Sequence, residues 1–514
     1  MRNPAAESVT IQALPLRQTY SKATAREVLN AALEGRHGAA MDFADESPQG
    51  TGPRMELGAA PATTPLPAAP APPVAAAPGP APPPAPAPAP VPPPPAGKPA
   101  PGSSDSYPAW VRSARAQPNT WRDIPGTRFM EMFKDNGSGV DAVGTRIPPS
   151  GDAHVGGRNT YYNTFAYGGP GHSRKRHEMY AHGSGHAAGT MNHVAAWRLG
   201  KDVPDMVLLS PSTPPEVRQA DYDTRSPVPM PQKAYHSDGK PIGSHVYSNL
   251  QYVEDSDELL VVTLENCNRT ITGLLRLGDI AAFKRSSGVD LGGDGRWRPP
   301  NTWPSITEFE SSDRLICQSL DRKSLYFRFG DGKGQDARLR KLNFQTKQIT
   351  YVTPNDVNWS HKCFGDVVPV GAGSEGSLFW IGNDWNSFNW AYPKGNWELW
   401  YARLIDLTTG DQHVVTINGP TVQECGLIGG VHWLASIRAY ACIFHSDGRE
   451  PFKLGKLIPT NSAHTAMRLE LVNTAGTAPS AKGWSRFSAH FPDYDDILVV
   501  GDSLDGYLKR IKIT

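Results

Sequence analysis

Five histidines fall within a short stretch, His172, His177, His182, His186 and His193, and imidazole is a common metal ligand. Their spacing argues against one shared ion. The run Glu178 to Gly183 reads as a strand, and six residues of strand span about 20 Å. His172 and His177 therefore emerge at one end of it, and His186 and His193 at the other. Turn and packing roles are expected for them, with no metal and no other cofactor.

A second group has a different chemistry. Between Trp380 and Trp397 the chain is dense in aromatic and amide side chains. Trp380 and Trp397 fall on strands and are expected in the core. Trp385, Phe388, Trp390 and Tyr392 fall between them, among Asn, Ser, Pro and Gly. Aromatic faces beside amides suit stacking on, and hydrogen bonding to, sugars or protein loops, so these four are the candidate binding residues. The competing reading is that the loop packs on its own blade or makes a subunit contact.

No catalytic residue is assigned. Asp493, Asp495 and Asp496 cluster at a turn, but a glycosidase pair needs a fixed separation of about 5–9.5 Å that sequence does not show. Asp502 to Gly506 is too short for a calcium loop. The GxSxG, HExxH and Walker A patterns do not occur.

The elements that must hold these residues are legible in the composition. Of 514 residues, 49 are proline, and Lys plus Arg (51) balance Asp plus Glu (50) to a net charge of +1. The mixing of charges leaves no basic stripe for nucleic acid. No run of about 18 apolar residues suggests a membrane span. Met1 to Leu16 lacks the basic and apolar regions of a secretory signal, so a virion, reached by lysis, or the bacterial cytoplasm is the expected location. The cysteines, Cys267, Cys317, Cys363, Cys425 and Cys442, are odd in number and widely spaced, as reduced, mostly buried thiols would be.

Three parts follow one another. Residues 1–52 are polar, with one short helix marked by the capping box Thr24 and Glu27 and the stop Gly35. Its apolar residues, among them Val28, Leu29 and Leu33, cannot sustain a helix this short in water, so they are the expected assembly contacts. Residues 53–107 are rich in Ala and Pro, densest from Pro61 to Pro101. Such a tract favours extended polyproline II, and its dense part can reach on the order of 120 Å. It is expected to act as a semi-rigid spacer.

Residues 108–514 carry a repeat. Short apolar runs begin at Glu178, Glu258, Ser324, Ser377, Ala439 and Asp496, separated by about 80, 66, 53, 62 and 57 residues, near the spacing of propeller blades with added loops. Strand-like runs precede them at 160–168, 245–252, 306–316, 363–370, 426–435 and 484–491. Others follow at 193–199, 272–277, 337–344, 398–407, 453–458 and 507–513. Outer runs lie at 206–209, 349–352, 413–417 and 467–472. The prediction is an all-β fold, a β-propeller of six blades, with seven as the alternative count. The sixth unit ends after its third strand, so an N-terminal strand must close the ring. Residues 118–124 and 300–306 match at five of seven positions, so both read as equivalent outer-strand elements, and 118–124 is the predicted closing strand.

The segment Tyr180 to His186, with Asn192 and Trp197 to Leu199, resembles a G-G-G-H … G-N … W-x-x-L pattern. Asp238 to Pro241 with Ser244 to Tyr247 resembles D-G-x-P … S-H-x-Y. Both belong to kelch and galactose-oxidase-like propellers of the kind that tailed bacteriophages encode. The resemblance implies a non-enzymatic virion protein of fibre, spike or decoration type. Residues 1–52 would then contact capsid or tail proteins, and the propeller would contact a host-surface glycan or protein. Homo-oligomers are compatible with this role. The alternatives are a carbohydrate-active hydrolase or copper oxidase, and a bacterial protein–protein interaction scaffold.

Overall fold

Six apolar runs become the second strands of six sheets: Glu178–His182, Glu258–Val261, Ser324–Arg328, Ser377–Asn383, Ala439–His445 and Ile497–Gly501. Each is flanked by strands on both edges and covered on both faces by neighbouring sheets, so it reads as a continuous apolar run rather than an alternating one. Tyr180, Leu259, Tyr326, Phe379, Tyr440 and Leu498 on these strands are all 0% exposed. The chain is an all-β, six-bladed propeller. This computed structural model describes residues 8–11, 18–21, 106–129, 168–183, 192–214, 217, 234–243, 250–262, 264–266, 275–277, 280–285, 295–306, 315–328, 338–354, 362–383, 400–445, 451–480, 487–502 and 507–514.

Blade one contains Gly171–Ser173, Glu178–His182, Val194–Arg198 and Asp205–Ser210 in spatial order. Blade three contains Leu315–Gln318, Ser324–Arg328, Arg340–Asn343 and Ile349–Tyr351. Blade four contains Lys362–Val368, Ser377–Asn383, Tyr401–Asp406 and Gln412–Val414. All neighbours within these sheets are antiparallel.

Three strand assignments from sequence need correction. In blade one the first strand lies after the predicted 160–168 run, at Gly171–Ser173. In blade two the predicted third strand at 272–277 is not part of the blade. Leu275–Leu277 pairs with Leu264–Asn266 as a separate hairpin, and Ala281–Lys284 takes the place beside Glu258–Val261. That strand was missed because it is only four residues long, while the longer run upstream has the stronger β pattern. The predicted outer run at 413–417 is split between blades. Gln412–Val414 closes blade four, and Thr416–Asn418 pairs in parallel with Ala466–Val472 as a fifth strand of blade five.

Blade five otherwise consists of Leu427–Leu434, Ala439–His445, Lys453–Pro459 and Ala466–Val472. Blade six is closed as the sequence requires. Its first three strands are Ser488–Phe491, Ile497–Gly501 and Leu508–Lys512, and its outer strand is Arg122–Asp123 from the other end of the domain. The matching segment 300–306 does not form a strand, since Arg296–Trp297 already ends blade two. The two segments share something else. Asn119 and Asn301 both adopt positive φ, 53° and 64°, and the Trp two residues later is buried in each case, at 1% for Trp121 and 3% for Trp303.

The turns from first to second strand show the repeat best. A left-handed residue stands immediately before the second strand, or in blade three two residues before it: His177, Asp257, Arg322, Gly376, Arg438 and Asp496. Only one of the six is glycine, which is why no regular glycine signature is visible in the sequence.

A helix unannounced by the sequence, Ala109–Ala116, precedes the closing strand. It buries Trp110, Val111 and Ala114, and Trp110 Nε1 donates to the Leu199 carbonyl at 3.0 Å. The helix thus bridges blades six and one, packing on Tyr494. Near the N-terminus Ser8–Ile11 pairs with Gln18–Ser21. The predicted helix bearing Val28, Leu29 and Leu33, and the spacer up to 105, lie outside the described residues. Cys317, Cys425 and Cys442 are buried thiols outside any disulfide, and Cys317 Sγ donates to the Gly365 carbonyl at 3.1 Å.

Candidate functional site

The first strands of the six blades line a central channel with a cavity of about 210 Å³. Its polar lining follows a register. His172, Gln251, Gln318, His432 and His490 stand six or seven residues before the second strands that begin at 178, 258, 324, 439 and 497. In blade four, whose turn is longer, Asp366 is the polar residue of the channel. The alternation of a strand turns these side chains toward the channel and their neighbours into the blade. Sequence reasoning missed this site. The register was the available signal, but it appears only once the second strands are aligned.

The channel groups hold one another. His432 Nε2 is 2.9 Å from Ser488 Oγ, linking blades five and six. This approach favours glycine at position 430, where a Cβ would meet Ser488 Oγ at 2.7 Å. Asp366 accepts from the backbone N–H of Trp433 at 2.8 Å and of Val367 at 2.9 Å. Burial raises the Asp366 pKa, and these two donors work against that rise. Gln318 Nε2 donates to the Tyr252 carbonyl at 2.8 Å. Arg322, from the blade-three turn, passes blade two to donate Nη2 to the His172 carbonyl of blade one.

Burial sets the charge state of the channel. It holds His172 well below its usual pKa, helped by the charges of Arg322 and Arg174. His432 is pushed down to about 3 by burial, then by His490 and Arg174. Arg322 falls to about 9, first from burial and then from Arg174. At neutral pH the channel therefore presents guanidinium cations beside neutral imidazoles of His172 and His432.

The sequence-predicted groups separate. His172 faces the channel, while His177 Nδ1 lies 2.7 Å from the Tyr494 hydroxyl at the turn. His182 and His193 are buried in blade one, 0% and 1% exposed, with His182 edge-on to Trp297. His186 lies outside the described residues. Among the described residues, no three His, Cys, Asp or Glu side chains gather as metal ligands would.

The motif residues of blade one serve as a staple. Asn192 Nδ2 donates to Thr213 Oγ1 at 2.8 Å and to the Pro241 carbonyl at 2.6 Å, and its Oδ1 accepts from Thr213 N at 2.8 Å. Thr213 Oγ1 reaches Asp238 Oδ1 at 3.2 Å. The two matched segments thus meet in one buried network that fixes the long connection between blades one and two.

The clustered carboxylates hold turns in place. Asp495 pairs with Arg115 at 2.9 Å and Lys512 at 2.7 Å. Asp496 lies 2.7 Å from His490 Nε2 and accepts from Ser436 N at 2.7 Å. Burial opposes ionisation of Asp496, yet the His490 and Ser436 contacts hold its pKa at about 2. The folded value is below the unfolded one, so ionised Asp496 stabilises the fold above pH ~4, and this is lost as pH falls from about 4 through 2. The expected contribution is about 2 kcal/mol. Asp496→Asn should flatten that part of the curve in urea titrations at pH 5, 4 and 3. An unchanged slope would rule the contribution out.

The four aromatic candidates, Trp385, Phe388, Trp390 and Tyr392, lie outside the described residues, between the second and third strands of blade four. Trp380 is core, 1% exposed.

No protein-family model matches the chain, and no curated protein matches it. Solved structures do. Hydrazine synthase of Kuenenia stuttgartiensis matches at 11% identity over 68% of this chain and 96% of that one, with a TM-score of 0.38. The major Malassezia sympodialis allergen Mala s 1 matches at 10% identity over 69% and 95%, with a TM-score of 0.36. TolB of Acinetobacter baumannii matches at 10% over 64% of this chain, which spans 62% of TolB, with a TM-score of 0.31. At this level of similarity, the propeller assignment rests on the strand pairing itself.

Proposed function

We propose that the chain is a non-enzymatic binding protein with the propeller as its head, carried on the 53–107 spacer from an anchoring segment at 1–52. The particle of a tailed bacteriophage is the proposed assembly, as the sequence resemblance implies. One observation supports the reading most. The ring is closed by Arg122–Asp123 against Leu508–Lys512, so the head needs no strand from residues before 106. The N-terminal segment is then available for attachment. The proposed partners are capsid or tail proteins for 1–52 and a host-surface glycan or protein for the head.

A chain beginning at residue 105 should fold and bind host cells but fail to join particles. Normal incorporation of that truncated chain would make the head the anchor and defeat the reading. In the same binding measurement, Trp385→Ala and Trp390→Ala should each weaken binding about thirtyfold while melting changes little. A large fall in melting temperature with unchanged binding by the folded fraction would instead assign those rings to packing.

A further inference from the structure

The channel brings together buried nitrogens that make no hydrogen bond. Arg174 and Arg322 come from the first-to-second-strand turns of blades one and three, and both line the cavity with His172. Among the described residues, Arg174 Nε, Arg322 Nε and His172 Nε2 are buried and make no hydrogen bond. The carboxylate paired with Arg322 is already shared. Glu254 accepts from Ser173 Oγ at 2.9 Å and from the backbone N–H of Arg174 at 2.7 Å, and stands 3.6 Å from Arg322 Nε as an ion pair. Asp366 is occupied by two backbone donors. One acceptor in the same lining is also unused: among the described residues Gln318 Oε1 is buried without a partner, and its orientation is fixed because Nε2 donates to a carbonyl.

Guanidinium groups only donate, in a planar fork that fits oxyanions. Buried donors without acceptors are uncommon in folded proteins and call for an explanation. We propose that the channel binds a small oxyanion that also carries a hydroxyl, of the hydrogen phosphate type. Arg174, Arg322 and His172 would take its oxygens, and Gln318 Oε1 would accept its hydroxyl proton. The cavity, about 210 Å³, holds an ion of this size. Burial depresses Arg322 first and the charge of Arg174 adds to it, and a bound anion would relieve that added repulsion. The site does not depend on what the head attaches to.

Inorganic phosphate is the probe, titrated calorimetrically into the full chain at constant ionic strength, with sulfate and acetate in parallel. Saturable binding at one site is expected, with sulfate weaker because it lacks the hydroxyl at neutral pH. Arg174→Gln should weaken phosphate binding by roughly tenfold or more, the usual consequence of losing a charge-assisted hydrogen bond. Arg174 is chosen because its side chain makes no hydrogen bond within the described fold, so melting without phosphate should hold. Gln318→Leu tests the acceptor separately and should remove the preference for phosphate over sulfate. Absence of saturable phosphate binding to the unaltered chain would overturn the proposal. So would sulfate binding as tightly as phosphate, or undiminished binding by a folded Arg174→Gln protein.

Discussion

Deleting residues 108–128 should abolish the cooperative unfolding of the propeller, while deleting 1–105 should leave its melting temperature unchanged. The deleted piece supplies the outer strand of blade six. It carries hydrogen bonds from Asn119 N to the Lys512 carbonyl at 2.7 Å, from Ile124 N to the Leu508 carbonyl at 2.8 Å and from Trp121 N to the Ala475 carbonyl at 2.9 Å. It also buries Trp110, Val111, Trp121 and Ile124, none more than 4% exposed. Burial of a large apolar side chain is worth roughly 1.5–3 kcal/mol, so four of them approach the whole stability of an ordinary domain, about 5–15 kcal/mol. The deletion further exposes Leu508–Lys512 as an open edge, which favours aggregation. Trp121→Ala is the milder form, expected to cost about 3–5 kcal/mol. Equal melting temperatures for the 108–128 deletion and the intact chain would show that the ring does not need its closing strand.

Replacing Arg285 alone should destabilise the fold by about 3–5 kcal/mol, and replacing it together with its partner should restore most of that loss. Arg285 Nε and Nη2 each lie 3.3 Å from a Glu178 oxygen, and both side chains are 7% exposed. Glu178 opens the second strand of blade one, and Arg285 follows the third strand of blade two, so the pair joins two blades. The Tyr180 hydroxyl also donates to Glu178. Burial would lower the Arg285 pKa, but Glu178 raises it. Arg285→Met leaves a buried carboxylate with only Tyr180, hence the large cost. In the double variant Glu178→Met with Arg285→Met no charge is stranded, and well-packed apolar pairs often match an ion pair for stability. Chemical denaturation of the two proteins separates these cases. A double variant as unstable as the single one would mean that the shape of the pair, not its charge, joins the blades.

How much of this was legible depended on the strand. The second strands read to within a residue at their starts because they are apolar on both faces, although those of blades two and three end two or three residues earlier than the apolar runs. The first strands read less well. Gly171–Ser173 is three residues long with a polar side chain in the channel, so it lacks a hydrophobic run. The closing strand at Arg122–Asp123 has both side chains exposed. It was found only because the last blade lacked a partner and because residues 118–124 recur near 300. That recurrence turned out to mark a shared left-handed Asn and buried Trp rather than two equivalent strands.

The sequence by itself determined the fold class, the six blades and the need for closure, since these follow from local apolar periodicity and from counting unpaired edges. Tertiary structure alone decided the channel. His172, Gln318, Arg322, Asp366, His432 and His490 span more than half of the chain, and no local pattern says that they face one another. They meet because each occupies the inner strand of its blade, or the turn that ends it, and the ring brings six such strands around one axis. Tertiary structure also gave the two matched motifs of blade one their role. Asn192 and Pro241 are 49 positions apart, and only the return of the connection onto blade one turns them into a single buried hydrogen-bond network.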